Sequence, residues 1–400
     1  MNITFLIGNG FDRNLGLKTA YSDFVKEYKG LPTNNEALQI FRKYVKENEE
    51  LWSNAEIQLG QYTKEFECGE GAKLSDCQED FCVHLAEYLK GQEARIDFSS
   101  CESLIVGAFS NLNRLYQSFP ERERTVIDNV YQQHKSEQIC FRFVCFNYTS
   151  TLDKCVNIVK KAGEIGSHRT GSGVMINHTI TEVCHIHGTV NGEMVFAVND
   201  ETQIAKPEVF ECENGDIYRA LFIKKDANAS YGENMDDKGS KLIQDSHIIY
   251  IYGMSIGDTD KLWWDRICKW LSGHPSRHLI VQKNSMPEKS VIPKEYQLAE
   301  RAHRKLITSK SDLDENRKEQ IEERIHVTAV NLFQDIRNIA QPTEEEQTAA
   351  LQREYMDAFE RTEKEKEALA EVAKLGELEE AYFKAVGETQ GNLELGAYQV

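Results

Sequence analysis

The chain contains no run approaching the roughly 18 apolar residues that a membrane-spanning helix needs. Its first residues carry no basic stretch and only a short apolar one, so no signal peptide is expected there and a cytoplasmic location is the default. Positive charge is in deficit: 47 Lys and Arg stand against 65 Asp and Glu, a formal net charge of −18. A general nucleic-acid binder needs a basic face, so the balance argues against that class, although it does not exclude a local positive pocket. The 10 cysteines sit singly, without one Cys-x-x-Cys pair. That disfavours a zinc ribbon and leaves reduced, mostly buried thiols as the expectation. No Gly-Lys-Ser/Thr follows any glycine-rich turn, so there is no Walker motif. No tight carboxylate cluster suggests a two-metal nuclease centre, and no internal repeat is evident.

What is present begins at the second residue. Ile3, Phe5, Leu6 and Ile7 form an apolar run that stops at Gly8-Asn9-Gly10, and Tyr21, Phe24 and Tyr28 then recur at helical spacing. This predicts strand, glycine turn, helix. Glycines at 8 and 10 let backbone lie against a ligand, with amide groups and a helix N-terminus suited to a phosphate. The third glycine of the dinucleotide fingerprint is missing, because Arg13 occupies its place. A tight turn without a ligand fits the same residues.

From about residue 30 to 139 the pattern is helical and charged, as in the stripe Leu104, Ile105, Ala108, Leu112 and Leu115. We read it as a helical insertion or cap, of the kind that closes over a pocket or simply packs. Within it Trp52 and Glu56 fall four apart, an anchored aromatic beside a solvated acid. CFRFVCF (140–146) reads as a buried strand leading into Asn147, where a polar residue can meet a ligand or cap a helix. GSHRTGSG (166–173) reads as a surface loop. In VCHIHG (183–188), His185 and His187 would share one side of a strand, as a metal pair without a third ligand or as structural or catalytic residues. Asn191-Gly192 predicts a hairpin turn with EMVFAV as the returning strand. Residues 200–245 read as polar and irregular, with SYGENMDDKGS as a loop. HIIYIYGMSIGDTD then repeats the opening logic. Its strand Ile248–Tyr252 runs into Gly253, with Ser255, Asp258 and Asp260 beyond and a helix carrying Leu262, Trp263 and Ile267. Ser255 suits a phosphate or ribose, or only a turn. LIVQ (279–282) and IHVTAV (325–330) predict two more buried strands, joined by a largely helical connection rich in Lys and Glu.

Short apolar strands followed by helices indicate an α/β fold with a mostly parallel, Rossmann-like sheet. In such a sheet the strand ends share one edge, so Gly8 to Asp12, Asn147, His187 and Gly253 to Ser255 are expected to converge. After Pro342 the character changes. Residues 341–400 hold six Lys and Arg against fifteen Asp and Glu, a net of −9, half of the chain's total. An incomplete apolar stripe from Leu351 to Tyr382 predicts an amphipathic helical tail, able to pack on the domain, pair with a second copy or meet a partner protein. We therefore divide the chain at 340, with an α/β domain at 1–340 and an acidic tail at 341–400.

The motifs IGNGFD, GLKTAYSDF, LWSNAE, FNYTSTLD, HIHGT and YGMSIGDTDKLWW, in this order, resemble those of the bacteriophage abortive-infection AbiH family over roughly residues 1–340. Lys18 stands where the family often has proline and Met254 where it often has histidine. That pattern is in turn remotely similar to sirtuin-like NAD-binding domains. Gly8-Asn9-Gly10 parallels their Gly-Ala-Gly turn, Asn147 their strand-end asparagine, His187-Gly188 their catalytic His-Gly, and Gly253-x-Ser255 their Gly-Thr-Ser. Phe11-Asp12 replaces their serine, Thr149 replaces an aspartate, and the zinc ribbon of the deacetylases is missing.

The resemblance implies an anti-phage effector that hydrolyses NAD, as a substrate and without a metal. Gly8, Asn9, Gly10, Phe11, Gly253, Ser255 and Asp260 would bind the dinucleotide. Asn147 would orient ribose or water, His187 would act as base near its ordinary pKa, and Asp12 would stabilise developing positive charge. The alternative is a nucleotide-binding sensor or toxin subunit without NADase chemistry, acting through a partner. Neither reading expects membrane insertion or general nucleic-acid binding.

Overall fold

The computed structural model describes residues 1–117, 119–163, 165–232, 234–287 and 294–343, with 346–348, 352, 353, 356 and 364 beyond them. Contacts divide the chain into one unit at Met1–Gln341 and another at Pro342–Val400. The amphipathic tail expected after residue 340 lies almost wholly outside the described residues.

The first unit is a mixed α/β structure built on six strands: β1 (Asn2–Ile7), β2 (Cys140–Cys145), β5 (Thr179–His185), β6 (Ile248–Tyr252), β7 (His278–Gln282) and β8 (Ile325–Thr328). Two short strands, β3 (Ser167–Arg169) and β4 (Met175–Asn177), pair antiparallel with each other, so the stretch expected as a 166–173 loop is in part a strand and in part the turn of a hairpin. The six-stranded order is β5-β2-β1-β6-β7-β8, and every neighbouring pair is parallel.

The strands are apolar runs because both faces of a parallel sheet are covered. Ile3, Phe5 and Ile7 point into a core with Phe109, Phe141, Phe143 and Tyr250. Leu6 points the other way, with Val144, Ile249, Ile251, Trp264 and Ile267. The period-two alternation of a strand thus feeds two cores from one segment.

Between β1 and β2 the chain is mainly helical, at Tyr21–Tyr28, Glu36–Glu47, Ala55–Tyr62, Gly71–Glu93, Glu102–Ser110 and Glu121–Gln133. The first four of these helices build an aromatic core of their own, with Phe24, Tyr28, Phe41, Trp52, Tyr62 and Phe81. That cluster also takes in Tyr148, Phe196 and Val198 from later in the chain.

Two expectations fail between β5 and β6. EMVFAV is no hairpin strand; Val198 makes only an isolated parallel bridge with Ile223. The segment instead runs beneath His187-Gly188: Val195 N–H donates to the His187 carbonyl at 2.9 Å, and a Cβ on Gly188 would stand 1.4 Å from the Glu193 carbonyl oxygen. Nor are residues 200–245 irregular, since helices occupy Gly215–Phe222, Lys224–Ser230 and Met235–Gln244. Their polar composition reflects exposed faces, while Phe222, Ala227, Leu242 and Ile243 are buried. Among the described residues no helix is long and apolar enough to cross a membrane.

Candidate functional site

Strand register places the motifs. Ile7 lies level with Cys145 on one side and Tyr252 on the other, and Cys145 with His185. The residues that follow, Gly8, Phe146-Asn147, Ile186-His187 and Gly253, therefore leave the sheet along one edge. Strand order reverses between β1 and β6, and a crevice outside the carboxyl ends of strands at such a reversal is the usual ligand position in an open α/β sheet. A cavity of about 530 Å³ occupies it, within the range of small-molecule sites. Gly8, Asn9, Gly10, Asp12, Asn147, His187, Gly253, Ser255 and Asp260 all line it. Phe11 does not; its ring is fully buried against Tyr252 and Phe333.

The glycine turn has a different task from the one its sequence suggested. Gly8 N–H donates to the Tyr252 carbonyl at 2.9 Å and Gly10 N–H to the Gly253 carbonyl at 3.0 Å. Phe11 N–H returns to the Gly8 carbonyl at 3.0 Å. These donors are therefore committed to protein and do not face a phosphate. The glycines are required because two backbones cross in contact: a Cβ on Gly10 would stand 2.4 Å from Gly253 Cα, and Gly253 itself has φ +69°. The helix beyond, Gly10–Asn14, is only five residues long. The Asn9 amide binds Thr19, through both its backbone carbonyl and its hydroxyl, which pins the loop leading to Tyr21.

Asp12 is 1 % exposed. The hydroxyls of Thr149 and Thr151 donate to its two oxygens, the first at 2.6 Å. Burial raises its pKa to about 6, against the opposing pull of those hydroxyls and of Asn147. Asp260, on the same cavity, is likewise raised by burial to about 6, with the Ser255 hydroxyl 3.4 Å away. Asn147 is 6 % exposed, and neither its Nδ2 nor its Oδ1 makes a hydrogen bond of ordinary geometry, although it stands close enough to Asp12 to favour the carboxylate. Buried polar atoms are nearly always paired, so an unsatisfied amide on a cavity wall marks a place for a ligand or water.

The two histidines part company. β5 ends at His185, so strand alternation does not extend to 187. His185 Nε2 lies 2.6 Å from Asp153 Oδ2 and is absent from the cavity lining. Burial opposes its charge, but Cys145 and the Asp153 carboxylate carry it up to about 11. His187, 7 % exposed, is on the cavity. Its pKa lies well below the ordinary imidazole value, first through burial and then through Lys224, so the expectation of a base near its natural pKa is overturned. Lys224 Nζ approaches His187 Nε2 at 3.4 Å. An ammonium only donates, so Nε2 accepts and the proton of the neutral ring is assigned to Nδ1, which makes no hydrogen bond of ordinary geometry although the Ile186 backbone lies close enough to favour a proton on the ring.

Lys224 leads to a part of the site that sequence reasoning missed. Its Nζ donates to Glu56 Oε2 at 2.7 Å. Glu56 Oε1 accepts from Tyr21 at 3.0 Å and from Tyr148 at 3.2 Å. Glu56 is 8 % exposed and fully engaged, not the solvated acid its surroundings suggested. The chain changes from a 3-10 turn at Leu51–Asn54 to an α-helix at Ala55–Tyr62 between Trp52 and Glu56, and the pair serve different surroundings. Membership of the quoted motifs could have flagged Tyr21, Glu56 and Tyr148. Lys224 sits in FIKKDANAS, outside all of them, and carries no such signal. Among the described residues no group of three or more His, Cys, Asp or Glu is arranged to hold a metal.

The chain matches the family described as Bacteriophage abortive infection AbiH over residues 4–282. No curated protein matches it. The matched range stops at the end of β7, although β8 completes the same sheet.

Proposed function

From the premise that this chain belongs to the bacteriophage abortive-infection AbiH family, we propose that it hydrolyses NAD at the nicotinamide–ribose bond to arrest infected cells. The strand order β5-β2-β1-β6-β7-β8 matches that of Rossmann-type dinucleotide sheets when its strands are renumbered in sequence, which supports a nucleotide at this edge. The observation that carries the reading is the meeting of Asp12, Asn147 and His187 on one cavity, the last two with unsatisfied buried polar atoms.

In the reaction the bond from the anomeric carbon to the pyridinium nitrogen breaks. Nicotinamide leaves neutral with the electron pair, the ribosyl carbon develops oxocarbenium character, and water supplies hydroxide to it. Asp12, ionised above pH 6, faces that charge and takes the proton of the attacking water. Asn147 orients the water or a ribose hydroxyl. His187, neutral and carrying its proton on Nδ1, donates to a ribose oxygen instead of acting as base. Thr149 takes the place where the sirtuin-like pattern has aspartate, and its hydroxyl holds Asp12.

The purified chain, incubated with NAD and followed by chromatography of nicotinamide and ADP-ribose, tests the proposal. Turnover is expected in wild type and is expected to be lost in Asn147→Ala. Infected cells that arrest with their NAD intact would overturn it.

One observation favours a second reading. With Lys224 on Nε2, His187 is poorly placed for base chemistry, which suits a nucleotide-binding sensor or toxin subunit that signals through a partner. Tight NAD binding without products, in protein that still protects cells, would select that reading.

A further inference from the structure

With the Gly8 and Gly10 amides spent on the neighbouring strand, an anionic ligand in this cavity needs a further, cationic partner. We propose that Lys283, assisted by Arg13, forms an anion subsite that takes the diphosphate of a nucleoside diphosphate or dinucleotide. The inference rests on the nucleotide reading of the cavity but not on NAD cleavage.

Lys283 is the first residue beyond β7 and lines the cavity. Its Nζ donates to the Met254 carbonyl at 2.9 Å. Met254 follows Gly253, whose carbonyl takes the Gly10 N–H, and a Cβ on Gly8 would stand 2.9 Å from Met254 Cα. The ammonium is thus tethered to the same backbone crossing that closes the glycine turn. Among the described residues that carbonyl is its hydrogen-bond partner, and no carboxylate pairs with it. Burial without a counter-charge depresses its pKa. A half-buried ammonium lacking an anion is costly, and a phosphate oxygen supplies what is missing. The cavity's other lysine, Lys224, is already neutralised by Glu56 at 2.7 Å.

Arg13 stands on the same cavity, exposed, with no ion pair among the described residues. Its planar fork matches two phosphate oxygens. It occupies the position where the dinucleotide fingerprint has its third glycine. Two unneutralised cations beside one crevice, in a chain of net charge −18, form a local field opposite to that of the whole.

Calorimetric titration of the full chain with ADP and with adenosine tests this, because the two probes differ only by the diphosphate. Wild type is expected to prefer ADP. Lys283→Met is expected to weaken ADP about 10- to 100-fold, the worth of a charge-assisted hydrogen bond, while adenosine affinity stays unchanged. Lys283→Arg should restore most of the preference, which separates lost charge from a damaged fold. Added salt should weaken ADP binding in wild type and do so less in Lys283→Met. Wild type that fails to prefer ADP, a Lys283→Met variant that keeps the preference, or equal losses for both probes would each overturn the subsite. Absent NAD turnover with the ADP preference intact would sink the hydrolase reading and leave the subsite standing. NAD turnover with no dependence of ADP binding on Lys283 would do the reverse.

Discussion

On the strand-end wall of the cavity Asn147 keeps both ends of its amide unbonded and His187 keeps Nδ1 unbonded. On the helical wall both oxygens of Glu56 are claimed, by Tyr21, Tyr148 and Lys224. The first wall has hydrogen-bonding groups to offer a ligand or water, whereas the second is satisfied within the protein. An open hydrogen-bonding group in a buried place is a cost that a ligand can relieve, and a closed network fixes geometry. On the proposed reading, recognition and chemistry belong to the strand ends, and orientation to the helices. Lys224 joins the two, because one ammonium touches Glu56 and His187 together.

The sharpest way to break that contrast is to open the closed wall. Glu56→Ala leaves the Lys224 ammonium buried and unpaired, and removal of one partner from a buried pair typically costs about 3–5 kcal/mol. We expect a loss of that size in denaturant unfolding. A change below about 1 kcal/mol would mean that the network is not the fixed element described here. Opening the other wall should act on function instead. Asn147→Ala and His187→Ala are each expected to lower NAD turnover about 10²-fold or more, roughly 2.7 kcal/mol in the barrier. Stability should change little for Asn147→Ala, since its amide makes no hydrogen bond of ordinary geometry within the protein and only its approach to Asp12 would be lost. Equal damage to stability and turnover would erase the distinction between the walls.

How far the two walls could be read in advance differs for a physical reason. Strand ends are legible because an apolar run that stops at Gly8, Asn147 or Gly253 announces both the element and its edge, and a parallel sheet brings such edges together. Five of the sheet strands and the convergence of Asp12, Asn147 and His187 followed from that, whereas β5, read at 183–188, in fact spans Thr179–His185. What each group does there was less legible. Gly8 and Gly10 looked like an amide cradle, yet their donors are spent on Tyr252 and Gly253. Phe11 sits one residue from Asp12 but turns into the core. The helical wall was nearly illegible, since Glu56 and Lys224 are 168 residues apart and each alone reads as a solvated charge. Only packing makes them a pair. The polar helices of 215–244 were hidden for a related reason, as just a few of their positions are buried.

A smaller effect comes from acid. Asp12 and Asp260 both carry pKa values raised to about 6 by burial. Each is ionised above that pH and protonated below it. If the charge of Asp12 supports the ribosyl cation, NAD turnover falls as pH drops through 6, by about tenfold between pH 7 and pH 5. Stability moves the other way. A folded-state pKa above the unfolded value of 3.8 means that the folded chain holds this proton more tightly. The contribution is therefore complete below pH 3.8 and lost as pH rises through 6. Asp12→Asn should stabilise the chain at pH 7.5, by at most about 3 kcal/mol, while abolishing the acid limb. A variant that loses stability at pH 7.5 would show that the Thr149 and Thr151 hydroxyls outweigh burial.

The finest test addresses the residue shared by both walls. Lys224→Met removes a positive charge 3.4 Å from His187 Nε2 while keeping most of the side-chain bulk. Burial remains the first cause of the depressed imidazole pKa, so the value should rise only part of the way towards the ordinary one. With no ammonium donating to Nε2, the proton is no longer held on Nδ1, and nitrogen chemical shifts should report a mixture of tautomers in place of one. Glu56 keeps the hydroxyls of Tyr21 and Tyr148, so this variant should lose less stability than Glu56→Ala. A single unchanged tautomer in Lys224→Met would mean that the strand-end wall sets its own chemistry without the helices.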